Sequence, residues 1–100
     1  MNLGNAIRMC RVRRDLTQAE LARRANMSVS YLSLIERDKR DVSVSTLREL
    51  AAGLEVPTGI LFFLAADSNE LSGIDDDLAA KLAQTALAFL NDPPNTPTLV

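Results

Sequence analysis

Apolar residues recur at intervals of three or four along most of the chain, the spacing that places them on one side of an α-helix. The first such segment runs from about Leu3 to Arg14, with Leu3, Ile7 and Cys10 on its apolar side. No Val-, Ile- and Thr-rich run with strict alternation reaches the length of a strand. The pattern therefore predicts an all-α protein built from six helices.

Residues that favour helix ends mark the predicted boundaries. Thr17 and Glu20 have the spacing of a capping box, which opens a second helix that runs to about Ala25. Ser28 and Ser43 are N-cap candidates for the third and fourth helices. The third helix is predicted to end near Arg37, and the fifth to have Pro57 in its first turn and to end near Leu64. The predicted buried face of the fourth helix consists of Val44, Leu47, Leu50, Ala51 and Leu54.

The character of the chain changes after residue 66. Residues 67–74 are polar and predict a connector, and Asp75–Asp77 then place three carboxylates where the dipole of a sixth helix favours negative charge. Three prolines follow residue 92 and predict a flexible end. We therefore expect a five-helix domain over 1–66, a connector and sixth helix for dimerisation or packing over 67–90, and a tail over 91–100.

Composition excludes most catalytic chemistry. The 100 residues fit one compact domain and include no His and a single Cys. No zinc cage, nucleophile–base pair or phosphate-binding Gly loop can be assembled from them. We expect neither an enzyme nor a cofactor or metal, and we expect Cys10 to be a core residue, since free Cys is among the most buried residue types.

Hydropathy argues against a membrane protein. The longest apolar run, over residues 59–66, is far shorter than the ~20 residues that cross a bilayer. No apolar stretch behind a basic leader marks a signal peptide. The expected location is the cytoplasm.

Charge is distributed unevenly between the two halves of the chain. Residues 1–50 hold ten Lys and Arg against six Asp and Glu, whereas residues 51–100 hold one Lys against seven acidic residues. Because a polyanion responds to the field within a Debye length of roughly 8–10 Å, the first half can bind phosphates although the whole chain carries −2. Alone, this asymmetry is only a weak indication.

The most informative stretch lies between Gln18 and Arg37. Two short helices joined by three or four residues must cross steeply, and this needs a small residue at the crossing and a turn residue that accepts positive φ. Ala22 is the small residue and Asn26 stands at the turn. The apolar residues that face inward are Leu21, Ala25, Leu32 and Ile35.

This pattern resembles the helix-turn-helix of the XRE, or lambda-repressor-like, family of DNA-binding regulators over residues 3–64. The matching pieces are Leu-Gly at 3–4, Ile7-Arg8, Arg11, Leu-Thr-Gln at 16–18, Glu-Leu-Ala at 20–22, Ser-Tyr-Leu-Ser at 30–33, Ile-Glu-Arg at 35–37 and Leu54. The chain departs from the family where Asn26 replaces the usual turn Gly and where Asp38 replaces a Gly or Asn. Asn is the next-best residue for left-handed backbone.

The resemblance implies a DNA-binding surface on the second and third helices. It places Gln18 against a DNA phosphate, where the alternative is a polar residue that simply suits a first helical turn. It also places the basic cluster of Arg37, Lys39 and Arg40 against phosphates, where the alternative is a solvated charged face. It places Tyr31 beside the DNA backbone, where a half-buried core position is the alternative. The implied DNA-binding residues are Gln18, Ser28, Val29, Ser30, Tyr31, Ser33, Leu34, Arg37, Lys39 and Arg40.

Base reading by the third helix is restricted by its composition. No Arg, Lys, Asn or Gln occurs from Ser28 to Leu34, so bidentate contacts to guanine or adenine are not available there. The remaining means of sequence recognition are a contact of Val29 with a thymine methyl group, hydrogen bonds of the serine hydroxyls and the shape of the DNA. The resemblance also implies that Arg11 and Glu36 form a structural ion pair between the first and third helices.

Surplus apolar residues predict a homodimer. Ile60, Phe62, Phe63 and Leu64 are too many for one helix face, and Leu78, Leu82 and Phe89 form a stripe on the sixth helix. Gly53–Val56 followed by Phe62-Phe63 is similar to controller proteins of restriction–modification systems, which are homodimers. The alternatives are that the sixth helix covers the excess, or that the C-terminal region binds a partner protein.

The predicted function is that of a transcriptional regulator that binds a palindromic operator in double-stranded DNA as a homodimer. The alternative is an antitoxin-type or other protein-interaction module whose C-terminal region holds a partner protein.

Overall fold

The computed structural model describes residues 1–67 and 75–91, and within these two ranges the chain forms six α-helices and no strand. This agrees with the predicted all-α class. The helices are α1 (Leu3–Arg13), α2 (Gln18–Arg24), α3 (Val29–Glu36), α4 (Val44–Leu54), α5 (Thr58–Ala65) and α6 (Asp76–Asn91). Most of the predicted connector and all but the first residue of the predicted tail lie outside the described residues, and that first residue, Asn91, ends α6 instead.

Side-chain caps begin most of the helices. The hydroxyls of Thr17, Ser28 and Ser43 each accept a hydrogen bond from the amide three residues later, at 3.0–3.1 Å, so the three predicted N-caps are confirmed. The carboxylate of Glu20 in turn accepts a hydrogen bond from the amide of Thr17 at 2.8 Å, which completes the capping box and lowers the pKa of Glu20. Pro57 is the residue before α5 rather than part of its first turn.

Left-handed backbone ends the first four helices. Asp15, Asn26, Asp38 and Glu55 have φ between 58° and 61°, each one or two residues past a helix. The sequence predicted this conformation at Asn26, and the structure also has it at Asp38, where the family more often has Gly or Asn. Because none of the four is Gly, each turn carries a modest steric cost that the packing of the helices must offset.

A single apolar cluster contains residues from each of the helices α1 through α5 and from the end of α6. Its largest fully buried members are Ile7, Leu21, Leu32, Ile35, Leu47, Leu50, Leu54, Leu61 and Cys10. Burial raises the pKa of the Cys10 thiol to about 11, so this cysteine is a core residue as expected. Val44 was predicted to be buried but is exposed, because it is the first residue of α4 and lies beyond the edge of the core.

The fifth and sixth helices pack on each other and on α1. Ala86 and Leu90 are the buried residues of α6, while Phe89 and Leu64 are partly buried against the same core. Ile60 was predicted to lie at an interface between two copies, but only 6% of it is exposed because it belongs to the core of its own chain. The sixth helix thus covers part of the apolar surplus of α5.

Arginines close the C-terminal end of α4. Arg14 donates to the carbonyl oxygens of Leu54 and Glu55 at 2.7 and 2.8 Å, and Arg24 donates to that of Gly53 at 3.1 Å. The last carbonyls of a helix lack intrahelical partners and carry partial negative charge. Two arginines of the basic half therefore stabilise a helix end.

The close approach of α1 to α3 depends on Gly4. A methyl group at this position would overlap the carbonyl oxygen of Ile35 and lie 3.2 Å from that of Glu36. Gly59 is also helical, yet apart from its chain neighbours and the backbone of its own helix, no heavy atom lies within 4 Å of the place where its methyl group would be.

We predict opposite effects of Gly→Ala at these two sites. Gly59→Ala should raise the free energy of unfolding by about 0.5–1 kcal/mol, because Ala loses less conformational entropy in a helix. Gly4→Ala should lower it by about 1–3 kcal/mol, because the methyl group must push α1 away from α3. Urea denaturation of both variants measures the difference, and equal effects at the two sites would contradict the close approach.

Candidate nucleic-acid interface

The crossing of α2 and α3 builds the centre of the site. Ala22 is fully buried, so the two helices can approach closely at this residue. The chain reverses at Asn26, whose φ is 58°, and the amide of Met27 then donates to the carbonyl of Ala22 at 2.9 Å. The hydroxyl of Ser28 caps α3. The small residue and the turn residue are therefore where the sequence predicted them.

The structure brings six of the predicted DNA-binding residues together in one shallow groove. Two of them, Val29 and Ser30, are exposed on the first turn of α3, while Ser33 and Leu34 are half-buried on the next turn. The groove is lined by Gln18, Val29, Ser30, Ser33, Leu34 and Arg37. It follows that the first turn of α2 and the outward face of α3 form a continuous surface.

The other predicted DNA-binding residues surround this groove or support it. Ser28 is exposed but its hydroxyl serves the helix cap. Tyr31 is half-buried and packs against the core, which is the alternative position that the sequence left open for it. Lys39 and Arg40 are exposed just after α3, next to the exposed carboxylates of Asp38 and Asp41.

One buried carboxylate connects three helices behind the groove. Glu36 Oε2 accepts from Arg11 Nε at 2.7 Å, and Glu36 Oε1 accepts from Arg11 Nη2 at 3.1 Å. The side chain of Glu36 is 1% exposed and that of Arg11 is 15% exposed. Arg11 Nη1 also donates to the carbonyl of Leu16 at 2.8 Å. The guanidinium thus makes the bidentate contact that its fork geometry favours and a third bond besides.

Gln18 joins the same carboxylate from the groove side. Its Nε2 donates to Glu36 Oε1 at 3.0 Å. An amide nitrogen carries two hydrogens, so one remains for a group in the groove. Because the Glu36 carboxylate can only accept a hydrogen bond, it holds the amide nitrogen of Gln18, and not the amide oxygen, next to it. The sequence pattern does not indicate this bond, since the bond depends on where α2 and α3 meet.

Two other kinds of site are absent from the described residues. Within residues 1–67 and 75–91, no group of three or more His, Cys, Asp and Glu could hold a metal ion. In the same part of the chain, no helix has the length and apolar character needed to span a membrane.

Comparison with known proteins identifies the family of this arrangement. Residues 7–61 match the sequence profile of the helix-turn-helix family, a range that covers more than half of the chain and includes the groove. The chain belongs to the XRE-type helix-turn-helix family. In this helix-turn-helix protein, the matched range ends within α5, so α6 lies outside it.

A curated relative of this helix-turn-helix protein is the immunity repressor protein of Bacillus phage phi105. The two are 46% identical over 56 residues. The aligned segment is 56% of this chain and 39% of the repressor, so the chain spans well under half the length of that relative.

The pair of Arg11 and Glu36 should be strongly coupled in a double-mutant cycle. Removal of either partner leaves the other charge buried without its counterion, and Glu36→Ala should lower the free energy of unfolding by roughly 3–5 kcal/mol. Thermal or urea denaturation of Arg11→Ala, Glu36→Ala and the double variant measures the coupling.

Arg24 and Glu55 provide the matched control. Their charged groups are 4.0 Å apart and their side chains are 45% and 33% exposed, so their coupling energy should be ~0–1 kcal/mol. If the double variant of Arg11 and Glu36 loses only the sum of the two single losses in free energy of unfolding, the two side chains have no coupling energy and the prediction is wrong.

Proposed function

We propose that the protein is a transcriptional regulator that binds operator DNA through the groove between α2 and α3. The observation that carries this proposal is the shared groove, in which polar, apolar and cationic side chains of the helix-turn-helix face solvent together. In helix-turn-helix proteins the second helix enters the major groove with its N-terminal residues against the bases. Val29 and Ser30 occupy that position here.

Phosphate contacts would hold the protein in register on the duplex. Arg37, Lys39 and Arg40 are exposed at the end of α3, and Gln18 keeps one amide hydrogen for a phosphate oxygen. Such contacts fix orientation without reading sequence, whereas the exposed residues of α3 supply the sequence dependence. The similarity to a phage protein named as an immunity repressor supports a regulatory role for this DNA binding.

Salt dependence tests the electrostatic part of this proposal. Each phosphate neutralised contributes about −0.9 to the slope of log K against log salt, so affinity for operator DNA should fall steeply although the chain is acidic. Arg37→Ala should weaken binding about equally on all sequences and reduce the slope by roughly one unit. Fluorescence anisotropy at several salt concentrations measures both quantities.

Lys81→Ala is the control for that experiment. Lys81 is an exposed cation on α6, outside the proposed surface. Its removal should leave the slope unchanged. An affinity that does not vary with salt, or a slope that responds to Lys81 and not to Arg37, would overturn the proposed surface.

We also propose that two copies bind one palindromic operator. A single recognition helix without Arg, Lys, Asn or Gln on its first two turns reads few base pairs, whereas two copies on half-sites about 34 Å apart read twice as many. Phe62 and Leu78 are exposed, and Phe63 and Leu82 are half-buried. This apolar surface of α5 and α6, with the exposed edges of Leu64 and Phe89, is the proposed dimer interface.

Phe62→Asp should separate the two copies without unfolding either. Because Phe62 is exposed in the single chain, a carboxylate there should be tolerated by the fold but not at an apolar interface. Light scattering at tens of micromolar should find dimers of the wild type and monomers of the variant. Met9→Asp changes a similarly exposed residue on α1 and should remain dimeric.

Two results would contradict the dimer. One is a monomeric wild type in the absence of DNA. The other is a second polypeptide that copurifies from native cells and is lost with Phe62→Asp, which would assign this surface to a partner protein.

A further inference from the structure

We propose that Val29 and Leu34 are specificity-determining residues that recognise the 5-methyl groups of pyrimidines, those of thymine in ordinary DNA. This inference rests on the proposed function, since it concerns the base contacts of the same groove. It names the chemical feature of the operator that the protein recognises.

The polar side chains of the groove are poorly suited to base recognition. The hydroxyls of Ser30 and Ser33 can donate or accept and therefore discriminate weakly. Gln18 Nε2 is bonded to Glu36, and Arg37 Nε donates to the carbonyl of Ser33 at 3.3 Å. Gln18 begins α2 and Arg37 follows the last residue of α3, so neither lies on the first turn of α3 that meets the bases, and we assign both to phosphates.

Recognition of cytosine by a carboxylate is also unavailable in the groove. A Glu or Asp can accept a hydrogen bond from the cytosine amino group. Glu36 is the acidic residue of α3, but its carboxylate is buried and occupied by Arg11 and Gln18. Among the described residues, those that line the groove include no acidic side chain.

The apolar side chains of the groove have one suitable partner in the major groove. Val29 is 43% exposed, and Leu34 is half-buried but lines the same groove. Purine and pyrimidine edges in the major groove are hydrogen-bonding groups, with the thymine methyl as the apolar exception. An apolar side chain placed against any other edge would desolvate a polar group without a bond in return.

The spacing of the two residues indicates two methyl groups rather than one. Five residues of α-helix separate Val29 from Leu34, which is about 7.5 Å along the helix axis. Base pairs are stacked about 3.4 Å apart. Because this separation exceeds the step from one base pair to the next, we place the two recognised methyl groups on different base pairs of each half-site.

Deoxyuridine substitution tests the inference directly. The operator is first obtained by selection of bound DNA from a random pool, and each thymine is then replaced by deoxyuridine, which lacks only the methyl group. At two positions in each half-site the affinity should fall about fourfold, the value for one buried methyl group, and elsewhere it should not change. A second pair of operators carries either cytosine or 5-methylcytosine at those positions. The operator with 5-methylcytosine should bind more tightly, because it has the methyl group on a different base.

Protein variants assign each methyl group to its residue. Val29→Ala should abolish the effect of deoxyuridine at one of the two positions and Leu34→Ala at the other. Val12→Ala removes the same atoms from an exposed valine of α1 outside the groove and should leave both effects intact. Because Val29 is exposed, its variant should fold, and the deoxyuridine series on the wild type does not depend on any variant.

The outcomes separate this inference from the proposed function. If the pool yields a specific operator whose affinity does not respond to deoxyuridine at any position, methyl recognition is overturned while DNA binding stands. The same holds if Val29→Ala and Leu34→Ala leave every deoxyuridine effect in place. If no sequence is selected, the proposed function is overturned, and methyl recognition falls with it.

Discussion

The carboxylate of Glu36 accepts hydrogen bonds from α1 and α2 while it lies on α3, and the position of the groove depends on these bonds. Arg11 supplies two of them and Gln18 the third. A carboxylate at 1% exposure is stable in its charged form only when such donors surround it. Since Gln18 and α3 both line the groove, the same interaction that stabilises the fold also sets the arrangement of the proposed DNA contacts.

The close contact at Gly4 complements this interaction. It brings α1 against the carbonyl groups of Ile35 and Glu36, at the end of α3. The helix α1 is thus held to α3 by backbone contact near its start and by the Arg11 guanidinium near its end. Two contacts along one helix fix its direction as well as its position, which gives α3 a rigid support.

Local features of this fold could be predicted from the residues themselves, whereas the long-range pair of Arg11 and Glu36 was predicted only through the family resemblance. Helix caps and turns depend on residues within four positions of each other, so the sequence indicates them directly. This holds for the caps at Thr17, Ser28 and Ser43 and for the turn at Asn26. The groove residues followed from a family pattern whose register the structure preserves. The hydrogen bond from Gln18 to Glu36 joins residues 18 positions apart, and no local pattern in the sequence indicates it.

The burial of individual apolar residues shows the same limit. Helical periodicity indicates which residues share a face, but the neighbours that cover the face depend on the whole fold. Ile60 has its own core as a neighbour and Val44 has none, which reverses both predictions. Arg14 is one of the ten basic residues of the first half, but it closes the end of α4, because the fold brings the carbonyl groups of Leu54 and Glu55 next to it.

The face of α2 and α3 that Glu36 supports is the proposed DNA-binding surface. Amide NMR of the protein during titration with a selected operator duplex tests it most directly, because each residue reports separately. The largest shifts should occur at the amides of Gln18, Val29 and Ser30, and the amide of Lys81 on α6 should not shift. Shifts concentrated on α6, with the amides of α3 unchanged at saturation, would contradict it.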